Sequence, residues 1–341
     1  MPNIKISLIT PTFNRKDELD YLIQSLARQT IDHQIFELII SDDGSTDGTE
    51  QYILEQAAQV DFRLVFIKQA NQGPGAARNH GMENASGELF LFIDSDCEAA
   101  PDWIETIWRY YTTEQFDACG GPDGAKADFS ALQKAIDYSM TSFFTTGGMR
   151  GHSEKMLAKF YPRSHNMGMT YRLYEQVGGF GSLRHGQDIE LSHRIHSVGA
   201  VVRFIPDAIV YHRRRTSLLR FFKQVFNWGV ARVNLGKISS QMLEPIHFLP
   251  AIAVCLLTAV LIGTCFRPGL FLPLIGVGLA GLGLLALAAG IKQHSLTVAA
   301  YALLTIPIQI IGYGAGFIVA FVHRNLLGAG TWTGFTKRYY N

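Results

Sequence analysis

The chain has 341 residues, 48% of them hydrophobic and 17% charged, which allows a large core and more than one structural part. Its net charge of +1 hides an asymmetry, because residues 1–202 carry 17 Lys/Arg against 27 Asp/Glu, whereas residues 203–341 carry 13 against 2. An acidic body is therefore joined to a basic region that faces something anionic. The four cysteines lack metal or disulfide spacing, which excludes a cysteine-built scaffold and favours a reduced compartment.

The N-terminal body alternates predicted strands and helices. The opening "MPNIKISLIT" has no apolar segment behind a basic start, so no signal peptide is predicted. A helix follows, with Asn14 as its expected N-cap and one apolar face made of Leu19, Leu22, Ile23 and Leu26. "FELIIS", a helix with Ile53, Leu54 and Ala57, "FRLVFI", a helix from about Gly75 and "LFLFI" continue the pattern. This alternation predicts a mainly parallel sheet with ligands beyond the carboxyl ends of its strands.

Acidic residues follow two of these strands. Asp42 and Asp43 end the second strand, and Asp94 and Asp96 end the fourth, so all four gather at one edge of the sheet. Residues two apart in extended backbone point the same way, so the second pair can converge. Convergent carboxylates repel unless a cation joins them, and hard oxygen ligands suit Mg²⁺ or Mn²⁺. The alternative is a helix N-cap for "CEAAPDWIE", which needs only one acid.

A second interpretation concerns the glycine-containing stretch "NQGPGAARNHG". It follows a strand and opens a helix, and Asp94 lies 19 residues after Gly75, as in a dinucleotide-binding fingerprint. However, Arg78 replaces the third glycine, a proline interrupts the loop, and the pattern follows the third strand instead of the first. An arginine at this junction suits a diphosphate better. A membrane-anchored dinucleotide-binding oxidoreductase is kept as the alternative function.

The C-terminal third contains three apolar runs without Lys, Arg, Asp or Glu. Residues 246–266, 270–290 and 296–322 are 21, 21 and 27 residues long, enough for three transmembrane helices, with buried core helices as the alternative. A small-residue series predicts close helix packing in lipid: Gly276, Gly278, Gly281 and Gly283. Three crossings would put the basic tail, residues 323–341, opposite a cytoplasmic body and against the positive-inside tendency. Either the third run is re-entrant or this chain does not follow the positive-inside tendency.

A basic amphipathic segment, residues 213–245, connects the body to these runs. Apolar residues recur at helical spacing among basic ones: Leu218, Phe221, Phe222, Val225, Phe226 and Trp228 beside Arg220, Lys223 and Arg232. This pattern predicts a helix in the headgroup region, with its basic residues on anionic lipid. The alternative is an ordinary amphipathic helix packed on the body.

Four motifs in order carry a resemblance to a known family. "SLITPTFNRKDEL", "ELIISDDGSTDGT", "NQGPGAARNHGMENASGELFLFIDSD" and "GGFGSLRHGQDIELSHRIHSVGA…VYH" resemble a family 2 glycosyltransferase with a GT-A fold, over roughly residues 4–212. The resemblance implies an inverting enzyme that moves a sugar from a nucleoside diphosphate to an acceptor, with Mn²⁺ or Mg²⁺ as cofactor. It divides residues 1–212 into a nucleotide-binding half, 1–125, and an acceptor half, 126–212.

The resemblance also assigns roles to the donor-side residues. It makes Asp96 the direct metal ligand, with Asp94 as the other acid of the DxD pair, and makes Arg78 a contact to the nucleotide or its phosphates. Asp42 or Asp43 would contact the base and ribose. The loop under the nucleotide would contain Pro11 and Thr12. Asn166 would line the donor-sugar or acceptor pocket, and His212 would be a further metal ligand.

The predicted catalytic base is Asp188 in "GQDIEL". The family more often has Glu-Asp here, so Gln187 removes a neighbouring charge but leaves the aspartate in place. Inversion requires a base that takes the proton of the acceptor hydroxyl while the nucleotide leaves from the opposite face. Glu190 is the alternative base, but on a helix it points about 200° away. A plain helix N-cap is the alternative for Asp188 itself.

Together these features predict a multi-pass enzyme of the inner or plasma membrane with a cytoplasmic catalytic domain. Its expected partners are a nucleoside-diphosphate sugar, a lipid-linked or cell-envelope polysaccharide acceptor and anionic membrane lipid, and no nucleic acid. The expected fold is an α/β GT-A body with a doubly wound, mainly parallel sheet, an interfacial amphipathic helix and about three transmembrane helices. The sequence does not specify the sugar or the base.

Overall fold

A computed structural model describes residues 3–124, 129–146, 160–212 and 216–335, without the side chains of Phe144, Thr146 and His212. The strands are β1 (Ile6–Thr12), β2 (Phe36–Asp42), β3 (Arg63–Lys68), β4 (Leu89–Phe92), β5 (Cys97–Ala99), β6 (Ala118–Gly120), β7 (Asp123–Gly124), β8 (Met167–Thr170), β9 (Val202–Phe204) and β10 (Val210–His212). The helices are α1 (Lys16–Leu26), α2 (Thr49–Ala57), α3 (Pro74–Glu83), α4 (Trp103–Glu114), α5 (Ala131–Thr141), α6 (Phe143–Thr146), α7 (Tyr171–Val177), α8 (Gln187–Ser197), α9 (Leu218–Ile238), α10 (Leu249–Phe266), α11 (Pro268–Lys292) and α12 (Leu296–Phe321).

The described body is built on a seven-stranded sheet in the order β3-β2-β1-β4-β8-β6-β9. Its pairings are parallel except those of β8, which runs antiparallel to β4 and β6. The mainly parallel α/β sheet predicted from the sequence is therefore confirmed. The chain adds β2 and β3 on one side of β1 and β4 on the other. This creates a topological switch point between β1 and β4, where ligands bind in such sheets.

The helix after β1 has the predicted apolar face. Leu19, Leu22, Ile23 and Leu26 of α1 are all buried against the sheet. The predicted cap is wrong: Arg15 occupies the N-cap position, and Asn14 instead has φ +51° and accepts a hydrogen bond from the backbone N–H of Thr46 at 2.8 Å. The side chain of Asp47 accepts from the N–H of Lys16 at 3.2 Å, so an acid from the loop after β2 serves the helix end.

The second predicted helix is confirmed in place but only partly in its apolar face. Ile53 of α2 is buried, whereas Leu54 is 60% exposed, because α2 covers the outer part of the sheet with a single row of side chains. The helix predicted from about Gly75 is α3, which begins at Pro74. A three-stranded sheet, β5-β10-β7, lies beside the main one and joins two strands from the first 125 residues to β10.

The C-terminal helices pack on the body through α9. Phe226 and Val230 of α9 are buried against Phe317 and Ala320 of α12, and Phe221 packs on α5. The two backbones touch closely. A Cβ added at Gly316 of α12 would lie 2.0 Å from a backbone oxygen of α9, and one at Gly229 of α9 would lie 2.1 Å from a backbone oxygen of α12. The amphipathic segment is thus a helix whose apolar face is covered mainly by α12.

Three helical stretches are long and apolar enough to cross a membrane: Pro245–Phe266, Pro268–Lys292 and Leu296–Leu326. The glycine series predicted to pack helices together does not do so within the described chain. A Cβ added at Gly276, Gly278, Gly281 or Gly283 meets nothing within 4 Å. That prediction was wrong within this chain, because these four residues lie on exposed faces of α11, while other glycines, such as Gly290 of α11 against Ala299 of α12, make the close contacts.

After α12 the chain returns to the body. Asn234 of α9 donates a hydrogen bond to the backbone oxygen of Trp332 at 2.8 Å, and Asn227 accepts one from the N–H of Phe335 at 3.0 Å. Arg324 donates to the side-chain oxygen of Asn234 at 2.7 Å. Residues 332–335 therefore lie on α9, beside the loop that leads into α8.

Candidate active site

One cavity of about 1230 Å³ connects the sheet edge to the C-terminal helices. Its first end is lined by residues that follow β1 and β4, including Arg15 and Asp96. Its middle is lined by the turn that opens α8, with Asp188. Its far end is lined by α9, α10 and α12, including Arg232 and Tyr313. A polar site at the switch point of the sheet is thus continuous with helices apolar enough for a membrane.

Two carboxylates at the first end are each held by an arginine. Asp94 Oδ1 lies 2.5 Å from Arg78 Nη2, and Asp96 Oδ2 lies 2.8 Å from Arg15 Nη1. The Asp96 carboxylate raises the pKa of Arg15, so this cation is firmly protonated. The two acids remain partly open to the cavity, with side chains 27% and 13% exposed. Two acids and two cations thus stand where the donor diphosphate is expected.

The acids fit the predicted divalent cation by their chemistry. Both present carboxylate oxygens to one cavity, and a Mg²⁺ or Mn²⁺ site needs only one or two carboxylates when phosphate oxygens complete it. Within the described residues, three or more His, Cys, Asp or Glu side chains nowhere cluster as a metal site. The side chain of His212 lies outside the described residues, but its backbone pairs with that of Cys97, one position after Asp96.

The other predicted acid pair is buried behind the cavity wall. Asp43 accepts hydrogen bonds from Gln69 Nε2 at 2.7 Å and from the N–H groups of Gln72 and Gly73 at 2.9 and 2.7 Å. Asp42 accepts from the hydroxyl and the N–H of Ser45. Both side chains therefore order the loops that follow β2 and β3. A direct contact to a base or ribose stays a prediction for both.

The loop that opens α3 is packed against the start of α8. Gly75 has no side chain because the Gln187 amide fills that space, and a Cβ there would lie 2.5 Å from Gln187 Nε2. Arg78, one turn further along α3, stacks its guanidinium over the ring of Phe180 at 5.2 Å. Gln187, which replaces the acid usual in the family, thus has a packing role between the donor-side loop and Asp188.

Asp188 lies at the start of α8 and faces the cavity. Its Oδ2 is 3.6 Å from Arg163 Nη1, and its Oδ1 accepts from the N–H of Ile189 at 3.0 Å. The alternative base, Glu190, is engaged elsewhere, because Arg194 donates to both of its oxygens at 2.7 and 2.9 Å. Geometry therefore favours Asp188 over Glu190 as the group that can reach an acceptor.

Three further predicted residues lie outside the cavity lining. Asn166 is buried, donating to the backbone oxygens of Pro122 and Ala208 at 3.1 and 2.8 Å and accepting from Trp103 Nε1 at 3.0 Å. Its amide thus joins the loops that contain Pro122 and Ala208 to α4. Pro11 and Thr12 end β1, and the Thr12 hydroxyl is buried with no hydrogen-bond partner among the described residues. Their proposed contacts to the nucleotide stay predictions.

A group of basic residues around Asp188 was not predicted as part of the site. Arg163, Arg232 and His247 line the cavity together with Asp188, and we call these three residues the basic subsite. Arg163 contacts Asp188 directly, and both act electrostatically on Arg232, whose pKa burial lowers. His247 in turn lies within electrostatic range of Arg232 and Arg163.

Local sequence patterns could reveal only part of this group. Arg15 was visible, since a cation directly after the first strand must lie at the switch point. Arg163 belongs to no recognisable pattern. Arg232 was counted only as a basic residue of an amphipathic helix. His185 beside the subsite is half-buried, and the loss of contact with water lowers its pKa to about 4, which keeps it neutral near pH 7.

Comparison with known proteins identifies the class to which this fold and site belong. Residues 7–176 match the family described as Glycosyl transferase family 2. The chain belongs to this family, and the glycosyltransferase resemblance and GT-A fold expected from its motifs are confirmed. The family assignment gives no support to the alternative of a dinucleotide-binding oxidoreductase.

Two curated relatives illustrate the similarity. EpsH of Bacillus subtilis (strain 168), a candidate glycosyltransferase, is 30% identical over 238 residues, covering 66% of this chain and 66% of its own. The glycosyltransferase AglE of Haloferax volcanii is 26% identical over 252 residues, covering 74% of this chain and 79% of its own. The chain therefore spans just under two thirds of EpsH and about four fifths of AglE.

Solved structures share the fold at low identity. The mannosyltransferase PcManGT from Pyrobaculum calidifontis, in complex with GDP-Man and Mn²⁺, has a TM-score of 0.65 and 16% identity, covering 92% of this chain and 87% of its own. Residues 1–349 of S. aureus TarS, in complex with UDP-GlcNAc, have a TM-score of 0.50 and 18% identity, covering 98% of this chain and 95% of their own.

Proposed function

We propose that this glycosyltransferase moves a sugar, with inversion, from a nucleoside-diphosphate sugar to a lipid-linked acceptor at a membrane. The observation that carries the proposal is the single cavity in which Asp94 and Asp96 lie at one end, Asp188 in the middle and the apolar C-terminal helices at the other end. Donor, base and lipid can thus meet in one continuous cavity.

The donor end suits a nucleoside diphosphate. Arg15 and Arg78 supply two guanidinium groups beside the carboxylate pair, and guanidinium binds phosphate oxygens bidentately. PcManGT with GDP-Man and Mn²⁺ and TarS with UDP-GlcNAc support this class of donor. A bound Mn²⁺ or Mg²⁺, held by Asp96 and Asp94, would neutralise charge that develops on the leaving diphosphate. Two carboxylates leave most coordination positions of the cation to be filled by phosphate oxygens, so the donor and the cation are expected to bind together.

The chemistry assigned to the chain is the removal of one proton. Asp188 takes the proton of the acceptor hydroxyl as that oxygen bonds to the anomeric carbon of the donor sugar. The bond from that carbon to the diphosphate oxygen breaks on the opposite face, and the nucleoside diphosphate leaves with the bonding electrons. Arg163, 3.6 Å from Asp188, helps to hold the carboxylate in place.

The membrane side of the proposal rests on charge and hydropathy. Three apolar helical stretches follow a body that is acidic, and residues 203–341, which contain these stretches, carry 13 Lys/Arg against 2 Asp/Glu. Positive charge near spans favours the cytoplasmic side and contacts with anionic lipid. We place the catalytic body on the cytoplasmic face of a plasma or inner membrane, with its acceptor supplied from that membrane.

A donor screen tests the proposal. The full-length protein in lipid nanodiscs is incubated with individual UDP-, GDP-, dTDP- and CDP-sugars, with Mn²⁺ or with a chelator, and release of the nucleoside diphosphate is measured. One donor class should be turned over, dependent on the divalent ion. Turnover that is unchanged by the chelator would contradict the role of the carboxylate pair. Absence of turnover together with tight binding of NAD(H) would contradict the proposed function.

A further inference from the structure

The basic subsite is a place for an anion that the donor does not supply. Arg163 and Arg232 bring two guanidinium groups to one region of the cavity, where Asp188 is the described carboxylate acting on both. A cation taken out of water is costly unless an anion or several hydrogen bonds compensate it. The carboxylates of the donor end cannot serve here, because Asp94 and Asp96 are already held by Arg78 and Arg15.

The donor groups of the basic subsite suit phosphate oxygens. Arg232 uses Nη1 to bind the backbone oxygen of Met242 at 3.1 Å, which fixes the guanidinium on α9. His247 accepts the N–H of Glu244 at its Nδ1, at 2.9 Å, so the neutral ring carries its proton on Nε2. Two planar guanidinium groups and one imidazole N–H form a set of fixed donors of the kind that recognises phosphate or diphosphate.

The basic subsite lies between the predicted base and the apolar C-terminal helices. Arg163 touches the predicted base Asp188, whereas His247 lies in the short turn directly before α10, inside the apolar stretch that starts at Pro245. The same cavity is lined beyond His247 by apolar groups of α10 and α12, including Pro250 and Ile310. An anion held here would therefore lie between the reacting hydroxyl and the apolar helices.

We propose that the basic subsite binds the phosphate or diphosphate that joins the acceptor sugar to its polyprenyl lipid. This inference rests on the proposed function and deepens it by naming the acceptor class. The acceptor's hydroxyl then lies at Asp188, its phosphates at Arg163, Arg232 and His247, and its hydrocarbon chain along α10 and α12. A neutral glycolipid or a soluble glycan would leave the two arginines with Asp188 as the one described carboxylate that acts on both.

Binding of defined probes tests this inference. The full-length protein in phosphatidylcholine nanodiscs, saturated with the nucleoside diphosphate found in the donor screen, is titrated with polyprenyl diphosphate, inorganic diphosphate or phosphatidylglycerol. Polyprenyl diphosphate should bind at least about tenfold more tightly than either comparator. Equal binding of inorganic diphosphate would overturn the claim that the bound phosphate is carried on a lipid. Equal binding of phosphatidylglycerol would overturn the claim of a polyprenyl acceptor and indicate a general surface for anionic lipids.

Variants assign the binding to the named residues. Arg232→Gln should weaken polyprenyl diphosphate binding by roughly ten- to a hundredfold, the usual value for one charge-assisted contact, and leave nucleoside diphosphate affinity unchanged. Lys237→Gln removes an exposed cation at the end of the same helix and should change neither affinity. If Arg232→Gln does not fold, Arg163→Gln takes its place. Unchanged polyprenyl diphosphate binding in the arginine variant would overturn the inference, as would a loss of its nucleoside diphosphate affinity.

The inference and the proposed function fail in different ways. A protein that releases nucleoside diphosphate from a donor but does not bind polyprenyl diphosphate would keep the proposed function and lose the acceptor class. A protein that binds polyprenyl diphosphate through Arg232 but turns over no sugar nucleotide would retain the anion subsite and contradict the glycosyl-transfer chemistry.

A separate observation concerns the path of the chain through the membrane. The N-terminal half of α12 packs on α5, where Thr305 Oγ1 lies 2.6 Å from Ser139 Oγ, and its C-terminal half packs on α9. Only 6% of the most apolar stretch of α10 and of α11 is buried within the protein, compared with 44% for α12. The end of α11 also returns to α5, with Lys292 over the ring of Tyr138 at 6.0 Å.

From these contacts we infer that α10 and α11 cross the membrane as a hairpin, whereas α12 lies on the body without crossing. Both ends of α12 then share one side with the catalytic domain, as does the segment after it that contacts α9. This arrangement places Arg324 on the side of the body and removes the conflict with the positive-inside tendency. The third apolar run is neither a full span nor a wholly buried core helix.

Thiol labelling tests this path. Single cysteines replace exposed residues in a full-length chain without its native cysteines: Gln59→Cys in the body, Gly269→Cys between α10 and α11, His294→Cys before α12 and Gly330→Cys after it. A membrane-impermeant maleimide is applied to intact cells and to opened vesicles. Positions 59, 294 and 330 should be labelled together on one side and 269 on the other. Labelling of position 330 together with 269 would overturn the inference in favour of three crossings.

Discussion

The assignment of Asp188 as the base gives the sharpest test of the catalytic chemistry. Asp188→Asn keeps the size of the side chain and an oxygen for the N–H of Ile189, but removes the proton acceptor. A positioned general base contributes about 10²–10⁴ in rate, which is about 3–5 kcal/mol of transition-state stabilisation. We therefore expect kcat for sugar transfer to fall by that factor.

The structure predicts that this loss is separable from folding and from donor binding. The ion pair of Asp188 with Arg163 is 3.6 Å long, and both side chains are more than a tenth exposed, at 20% and 28%. Such a half-buried pair lies between an exposed pair, which contributes about 0–1 kcal/mol, and a buried pair, whose loss costs about 3–5 kcal/mol, so the free energy of unfolding should fall by about 1–3 kcal/mol. The donor end, with Asp96 and its arginine, is not touched by the change, and the donor dissociation constant should be retained.

Glu190→Gln is the matched control, because it removes a carboxylate only two residues further along α8 that points away from Asp188. Glu190 is bound by Arg194 through two hydrogen bonds. Its loss should lower the free energy of unfolding by about 1–2 kcal/mol, while transfer per folded molecule stays within about threefold. Transfer by both variants is measured at saturating donor, with thermal unfolding in parallel. Retained transfer in Asp188→Asn, combined with loss in Glu190→Gln, would refute the assignment of the base.

Four further outcomes are expected. Asp96→Asn should weaken Mn²⁺ binding, measured by titration in the presence of nucleoside diphosphate, by at least about tenfold, the cost seen even for residues that only support a ligand. Asn166→Leu removes three buried hydrogen bonds and should lower the free energy of unfolding by about 2–4 kcal/mol, with donor affinity unchanged; a selective loss of affinity would restore its predicted role in the pocket. Gly316→Ala forces α9 and α12 apart and should cost about 1–3 kcal/mol in thermal unfolding, whereas Gly281→Ala, in open space, should cost nothing; equal effects would contradict the packing described. Because burial lowers the pKa of His185 to about 4, the unfolded chain takes up its proton first; stability should therefore fall as pH falls from about 6.5 to about 4, less steeply in His185→Gln.

The sequence predicted those parts of the fold that depend on local periodicity. The strands up to β4 and the helices between them follow from apolar runs and helical spacing, and the position of Asp94 and Asp96 follows from parallel strands ending at one edge. The cap of α1 was missed because its acid, Asp47, comes from a distant loop. A helix cap supplied by a residue far away in sequence cannot be predicted from the residues around the helix end.

The basic subsite and the packing of α9 could not be predicted for the same physical reason. An amphipathic pattern shows that a helix buries one face but does not show whether lipid or another helix covers it. In this chain α12 covers most of that face, so Phe226 packs on protein. Arg163 and Arg232 are far apart in sequence and meet only because α9 and the segment before β8 line the same cavity.

The most direct test of the central claim is the transfer of a radiolabelled sugar to lipid. Membranes that contain the full-length protein are incubated with the labelled donor from the screen and Mn²⁺, and the product is partitioned between organic solvent and water. The account predicts label in the lipid extract, released from the lipid by mild acid and absent with Asp188→Asn. Label found only in water-soluble glycan, with the lipid extract unlabelled, would contradict it.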